Sequence, residues 1–204
     1  MLLTNDTVIR KSLQTFLEKE LAGHQKHGYR AEIIEELGVR HGTARIDFAI
    51  VNGIMSGYEI KSDRDTLKRL PEQVKEFSSV FDELTLVVGK RHLYHAIHLI
   101  PEWWGIMVAK IDTNDHIVFQ TIRKAERNKA QNILSIARLL WKEEALQILE
   151  ERNRANGLRN KPRRLIYEKL ANTLDTETLK QRVSSQLISR AGWRSGQLLT
   201  SCGD

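Results

Sequence analysis

The chain has 204 residues, of which 41% are hydrophobic, and a formal net charge of +6. This length can bury a substantial core, and the single cysteine, Cys202, excludes a disulfide framework and any multi-cysteine zinc module. Apolar runs fall short of the roughly 18 residues that span a membrane, and the N-terminus lacks the layout of a signal peptide. We therefore expect a soluble, cytoplasmic protein that does not bind membranes.

The positive charge is concentrated near the C-terminal end of the sequence. Residues 1–150 hold 21 basic and 21 acidic side chains, whereas residues 151–204 hold 11 and 5. A basic terminal segment is typical of a protein whose partner is a polyanion, usually nucleic acid. The alternative is a solvated helical surface, which has the same composition.

Helices and strands are predicted to alternate over roughly the first 125 residues. Apolar residues at helical spacing predict helices over 4–21, from Pro71 onward, and over 91–99. Other apolar runs predict strands over 31–40, 84–88, 105–111 and 116–122, and a β-hairpin over 45–62. The order helix, three strands, helix, strand predicts an α/β sandwich with a mixed sheet.

Helical periodicity dominates from Arg123 onward. One long apolar stripe runs over 133–149, and two further helices are predicted near 165–174 and 176–190 after a loop over 153–163. The expected organisation is a domain over residues 1–125, a basic helical region over 126–192 and a flexible tail over 193–204.

The hairpin has an Asn52-Gly53 turn, and its register can be argued from burial. A two-residue loop would pair Val51 with Ile54 and would mix charged and apolar side chains on both faces. A three-residue loop pairs Val51 with Met55 and separates the two kinds of side chain. Because a slip of one residue exchanges the faces, burial selects the three-residue loop, with Gly53 in the left-handed conformation.

The selected register predicts two different faces for the hairpin. One face is wholly apolar and holds Ile46, Phe48, Tyr58 and Ile60. On the other face Asp47 is expected opposite Glu59, and Arg45 opposite Lys61. The polar residues that interrupt the apolar alternation therefore meet at one place.

These polar residues are suited to metal-assisted chemistry. The carboxylates of Asp47 and Glu59 can share a hard cation such as Mg²⁺ or Mn²⁺, which would activate a water and neutralise a scissile phosphate. Lys61 could orient that water or stabilise developing charge. A third carboxylate could come from Glu35 or Glu36 on the preceding strand, and we favour Glu36. The alternative is a surface ion-pair ladder.

The segment 36–88 resembles the PD-(D/E)xK nuclease superfamily, especially its RecB-like and MmcB-like bacterial branches. The matching residues are Glu36, Gly42, Arg45-Ile46-Asp47, Tyr58-Glu59-Ile60-Lys61-Ser62-Asp63, Gln73 and Phe77. The resemblance covers about residues 5–90 and implies a restriction-endonuclease-like αβββαβ core with a mixed sheet. The chain departs from the pattern at Ile46, where a proline is usual, and at Phe77, where the family has a tyrosine hydroxyl.

The resemblance also implies roles for individual residues. Asp47, Glu59 and Glu36 would be metal ligands, Lys61 would be the catalytic lysine, and Gln73 would belong to the catalytic set. The cofactor would be Mg²⁺ or Mn²⁺, as expected for oxygen ligands.

Two groups of basic residues are candidate phosphate contacts. Arg45, Lys68 and Arg69 lie near the motif in sequence, although a solvated helix end is the alternative for the last two. Residues 138–175 resemble a SAP-like helix–loop–helix DNA-binding module, with Lys161, Arg163 and Arg164 at the start of its second helix. Such residues would contact phosphates without sequence preference, although a helical cap with a basic rim is the alternative.

These patterns together predict a Mg²⁺-dependent nuclease of bacterial or phage origin that acts on DNA, in repair or in phage biology. One alternative is a catalytically idle nuclease-fold protein that binds DNA or another partner. Another is a metal-dependent enzyme that acts on a different phosphate ester. Because each chain has one site, a concerted double-strand break would require a homodimer.

Overall fold

Within the described residues, 3–24 and 31–194 of a computed structural model, six strands form one mixed sheet in the order β1 to β6. The strands are β1 (Glu32–Val39), β2 (Ala44–Val51), β3 (Met55–Lys61), β4 (Glu83–Gly89), β5 (Gly105–Ile111) and β6 (Ile117–Arg123). The helices are α1 (Asp6–His24), α2 (Leu70–Ser78), α3 (Leu93–Ala96), α4 (Ile133–Ala137), α5 (Lys142–Glu150), α6 (Arg163–Ala171) and α7 (Thr176–Arg194). Pairing is parallel for β3–β4 and β4–β5 and antiparallel elsewhere.

The helices cover both faces of the sheet. The buried stripe of α1, which includes Ile9, Leu13 and Leu17, packs on the face that carries Phe48 and Ile60. Buried residues of α2 to α7 pack together on the other face in one continuous hydrophobic cluster with strand residues. The chain is therefore a three-layer mixed α/β fold, as the sequence predicts. None of the described helices combines the length and the apolar character needed to cross a membrane.

The predicted elements of the sheet are confirmed, and the differences concern helices. The predicted helix over 91–99 is shorter, because a 3₁₀ turn over Lys90–His92 precedes the single turn of α3. The long stripe over 133–149 is two helices, because Asn132 caps α4 and the Trp141 N–H donates to Glu144 at the start of α5. The predicted tail begins inside α7, which ends at Arg194, and residues 195–204 lie outside the described residues.

The hairpin has the predicted register. Val51 pairs with Met55 and Phe48 pairs with Tyr58, so the loop contains the three residues 52–54. Gly53 has a φ of 96°, which is the left-handed conformation that the loop requires. The Asn52 N–H also donates to the Ile54 carbonyl at 3.1 Å, which closes the turn.

The alternation of β2 is interrupted at Asp47, and the prediction for Ile46 is wrong. Regular pairing with β3 ends at Phe48, and Asp47 instead accepts a hydrogen bond from the Ile60 N–H at 2.6 Å. Ile46 packs with Leu84, on the face opposite to Phe48. The irregular pairing lets the strand rotate, so Ile46 joins the core beneath α2 while Phe48 and Ile60 face α1.

A buried ionic cluster attaches α7 to the sheet side of the molecule. The Asp82 carboxylate, fully buried, accepts from Lys180 at 2.5 Å, and Arg127 lies 3.3 Å from the same oxygen. Its second oxygen accepts the Met55 N–H at 2.8 Å. Asn128 adds hydrogen bonds to the carbonyl groups at the end of α2 and just beyond it. The helical region therefore shares both polar contacts and core with the strands.

Candidate active site

A cleft of about 1110 Å³ opens where the pairing of β2 and β3 ends. Its walls come from α1, β1, β2, β3, the turn segment 62–69 and α2. The side chains that meet at its centre are Arg10, Glu36, Asp47, Glu59, Lys61 and Gln73. All five of the residues that the sequence assigns to a catalytic set thus lie in one cleft.

Glu59 and Lys61 form a buried pair at the end of β3. Oε1 of Glu59 accepts hydrogen bonds from Nζ of Lys61 and from Nε2 of Gln73, the latter at 2.6 Å. The two charged side chains are only 3% and 7% exposed. Oε2 of Glu59 is also buried and has no hydrogen-bond partner among the described residues. The glutamate therefore has one occupied oxygen and one that is available.

The environment of Glu59 disfavours its ionised form. Burial raises its pKa, the neighbouring charge of Asp47 raises it further, and the contacts with Lys61 and Gln73 offset only part of that rise. The result is a pKa of about 7, compared with an ordinary value of 4.5. A cation at the available oxygen would remove this penalty.

Both oxygens of Asp47 accept hydrogen bonds from neighbouring groups. Oδ2 accepts the Ile60 N–H, and Oδ1 accepts from the guanidinium of Arg10. Burial nevertheless raises the pKa of Asp47 above its ordinary value, because these donors offset only part of the desolvation. Since a carboxylate oxygen has two lone pairs, a cation could still bind beside these donors.

Arg10 projects from α1 and contacts three carboxylates. Besides Asp47, it lies 2.9 Å from Oε1 of Glu36 and 3.5 Å from Asp6, one turn earlier in its own helix. Its guanidinium also lies over the Phe48 ring, 5.7 Å from the centroid. Burial acts to lower the pKa of Arg10, but the carboxylates, Asp47 foremost, outweigh burial, so its pKa is raised.

The two candidate residues of β1 occupy different places. Glu36 lines the cleft and reaches its centre through Arg10, whereas Glu35 lines a second cavity beside β1. Glu36 has a φ of 50°, a left-handed conformation that is uncommon outside glycine. This backbone conformation coincides with the interrupted pairing at Asp47.

The rim of the cleft is rich in arginine. Its arginines are Arg40, Arg45, Arg64 and Arg69, of which Arg40 pairs with Glu76 at 2.6 Å. Lys68 is exposed in the adjacent turn. The predicted phosphate contacts near the motif are therefore accessible to solvent, and Arg45 and Arg69 line the cleft itself.

The C-terminal basic residues lie elsewhere. Lys161, Arg163 and Arg164 are exposed at the start of α6, and Arg164 pairs with Glu168 at 2.8 Å. Arg163 lines the second cavity, of about 710 Å³, which shares Glu36 with the cleft. The structure does not bring these three residues into the cleft.

Sequence reasoning missed Arg10, Arg40 and Arg64. Arg64 follows Lys61 closely enough that its position in the turn could have indicated it. Arg10 gives no such signal, because it borders the apolar stripe of a helix whose docking is set by tertiary packing. Phe77, where the superfamily pattern has a tyrosine, is buried in the core and packs edge-to-face with Phe81 at 6.4 Å.

The acidic residues were tested for their fit to a divalent cation. Within residues 3–24 and 31–194, no group of three or more His, Cys, Asp or Glu side chains is arranged as a ready-made metal site. Asp47 and Glu59 still provide the oxygen donors that Mg²⁺ prefers, and Oε2 of Glu59 is a buried acceptor without a donor. This pair therefore fits one hard cation.

The fold and the cleft define a mixed α/β protein with a buried Glu–Lys pair beside an aspartate. The family model described as bacteriophage P4 protein cII matches residues 9–203, so the chain belongs to that family. One relative is Protein cII of Enterobacteria phage P4, which is 28% identical over 170 residues. The alignment covers 83% of this chain and 63% of the relative, so the chain spans less than two thirds of that protein. No solved structure matches the chain.

Proposed function

We propose that this chain is a cytoplasmic, Mg²⁺-dependent nuclease that hydrolyses phosphodiester bonds in DNA. The observation that carries the proposal is the buried Glu59–Lys61 pair beside Asp47, in a cleft whose rim is rich in arginine. We further propose that α1 to β4 form a core of PD-(D/E)xK type. The element order αβββαβ and the parallel pairing of β3 with β4 support this assignment.

Each central residue would have a distinct role. Asp47 and Glu59 would hold the ion, and a bound divalent cation supplies a water of lowered pKa and positive charge for the phosphate. Gln73 keeps one Glu59 oxygen occupied, which directs the other into the cleft. Lys61 would donate a hydrogen bond to the phosphate as its charge increases. The exposed rim arginines Arg45 and Arg69 would bind flanking phosphates, which positions the DNA strand.

The test compares the wild type with Asp47→Asn and Lys61→Met, using Glu102→Gln as an exposed control outside the cleft. Single-stranded DNA, duplex DNA and RNA are incubated with Mg²⁺ or Mn²⁺, and with a chelator. We expect metal-dependent cleavage of DNA by the wild type and the control, and a loss of at least about 100-fold in the two site variants. Equal cleavage by all four proteins, or cleavage by none, would contradict the proposal.

A second candidate is a nuclease-fold protein that binds DNA without cutting it. The observation that favours it is the ion pair of Arg10 with both Asp47 and Glu36, which neutralises acidic charge without a metal. In that case gel-shift assays would show DNA binding by wild type and Asp47→Asn alike, with or without Mg²⁺. Cleavage that requires Asp47 would exclude this alternative.

We also propose that the basic start of α6 is a DNA-binding surface of the helical region 126–192. Lys161, Arg163 and Arg164 are exposed there, so they can reach phosphates. Replacing all three with alanine should weaken binding and reduce the salt dependence by about one logarithmic unit per lost contact. The matched control is Lys169→Ala, an exposed lysine later in the same helix. Equal salt slopes in all proteins would show that this surface is not the contact.

A further inference from the structure

The placement of Arg10 in the cleft is fixed by contacts on both sides of the residue. Its neighbours Ile9 and Leu13 are completely buried, which holds this part of α1 on the sheet. Before the helix, the N–H and hydroxyl of Thr4 donate to Oδ2 of Asp63 at 3.0 and 2.8 Å. Asp63 follows β3 by two residues and also accepts the Arg91 N–H at 2.9 Å. The helix start is therefore tied to the end of the strand that carries Lys61.

The guanidinium of Arg10 occupies a position between two acidic side chains of the cleft. It contacts Asp47 on β2 and Glu36 on β1, which are carboxylates from separate strands. A positive group that bridges two carboxylates in this way provides the same charge compensation as a metal ion. Glu59, by contrast, has no contact with Arg10 and keeps a buried oxygen without a donor.

The local charges balance with one divalent ion. Asp6, Glu36, Asp47 and Glu59 contribute four negative charges when ionised, and Arg10 and Lys61 contribute two positive charges. One divalent cation would neutralise the remainder, whereas two would leave an excess of positive charge at close range. Without Arg10 the site would have room and negative charge for a second ion.

We propose that Arg10 takes the place of a second divalent ion, so that this site binds one divalent cation through Asp47 and Glu59. Glu36 then serves as the partner of Arg10 and does not ligate the metal. The inference depends on the proposed function for the identity of the site, and it concerns how many ions the site binds and which carboxylates bind them.

The experiment measures Mn²⁺ binding to the full chain by electron paramagnetic resonance and calorimetry. The wild type should bind one Mn²⁺ at this site, and Asp47→Asn should lose it. Arg10→Met keeps an aliphatic stem over the Phe48 ring but removes the charge, and it should bind a second Mn²⁺. Adding Glu36→Gln to Arg10→Met should return the count to one. Circular dichroism on each variant checks that the chain is folded.

Glu36→Gln in the otherwise wild-type chain provides a second test that leaves Arg10 in place. Because Glu36 is half-exposed and is not a ligand in this proposal, the variant should still bind one Mn²⁺, with an affinity within about fivefold. A loss of more than about tenfold would mean that Glu36 is a ligand and would overturn the inference.

The outcomes separate this inference from the proposed function. One Mn²⁺ that depends on Asp47 in the wild type, with the same single ion in Arg10→Met, would overturn the role of Arg10 and leave the proposed metal site standing. Two ions in the wild type would have the same meaning. Absence of Mn²⁺ binding in every folded variant would overturn both proposals.

Discussion

Gly57 is a sensitive position in the hairpin, because a side chain there would enter an occupied space. A Cβ at this position would lie 2.7 Å from Cδ2 of Leu84 and 3.2 Å from Cδ1 of Phe81, and nearest of all to Cδ1 of Ile46. These three side chains are completely buried, so they have little room to move aside. The substitution Gly57→Ala therefore tests the packing of Ile46 directly.

We expect Gly57→Ala to destabilise the protein by about 1–3 kcal/mol, the usual cost of an extra methyl group in a filled core. Alanine restricts the unfolded chain, which offsets roughly 0.4–1 kcal/mol of this cost. Ile46→Val alone should cost about 0.5–1.5 kcal/mol. Because valine lacks the Cδ1 atom nearest to residue 57, the double variant should lose less than the sum, by at least about 0.5 kcal/mol.

The assay is urea denaturation of the wild type, the two single variants and the double variant, analysed as a thermodynamic cycle. Purely additive losses, or a Gly57→Ala variant as stable as the wild type, would refute the reasoning. Either result would mean that Ile46 does not cover Gly57. The strand β2 would then keep its alternation through Asp47, with Ile46 and Phe48 on the same face.

Three further predictions concern buried polar groups. The pKa of about 7 at Glu59 means that the folded chain keeps a proton that the unfolded chain loses above about 4.5, so stability should fall between these pH values, by up to roughly 3 kcal/mol. Urea unfolding at pH 5 and 8 measures this fall, which Mg²⁺ should reduce; a Glu59→Gln variant with the same pH profile would contradict it. Asp82→Asn leaves Lys180 buried without its anion and should cost roughly 3–5 kcal/mol in urea unfolding. Adding Lys180→Met should recover part of that loss, and no recovery would argue against the pair. Tyr167→Phe removes the hydrogen bond to the Leu140 carbonyl and should lower thermal stability by about 1 kcal/mol; unchanged stability would show that this bond contributes nothing.

Local patterns were sufficient to predict the strands and the register of the hairpin. The Asn52-Gly53 turn and the need to bury one face allow only one pairing, and Val51 pairs with Met55 accordingly. The proximity of Asp47, Glu59 and Lys61 follows from this register. These features depend on neighbours along the chain or across one turn, which a sequence pattern reports well.

Features that depend on tertiary packing could not be predicted. The rotation of Ile46 follows from a side-chain hydrogen bond that interrupts the pairing of the strands. The role of Arg10 depends on how α1 docks on the sheet, which its own periodicity does not specify. The division of the stripe over 133–149 depends on two capping contacts, because apolar spacing continues through the break.

The buried pair of Asp82 and Lys180 also has a consequence for how this family can diverge. The two residues are 98 positions apart in sequence, and each removes the cost of burying the other. A change at either position alone should be selected against, so we expect relatives to keep both residues or to replace both together. Exchange of the C-terminal helices between distant relatives would separate the partners and should succeed only where both parents carry the same pair.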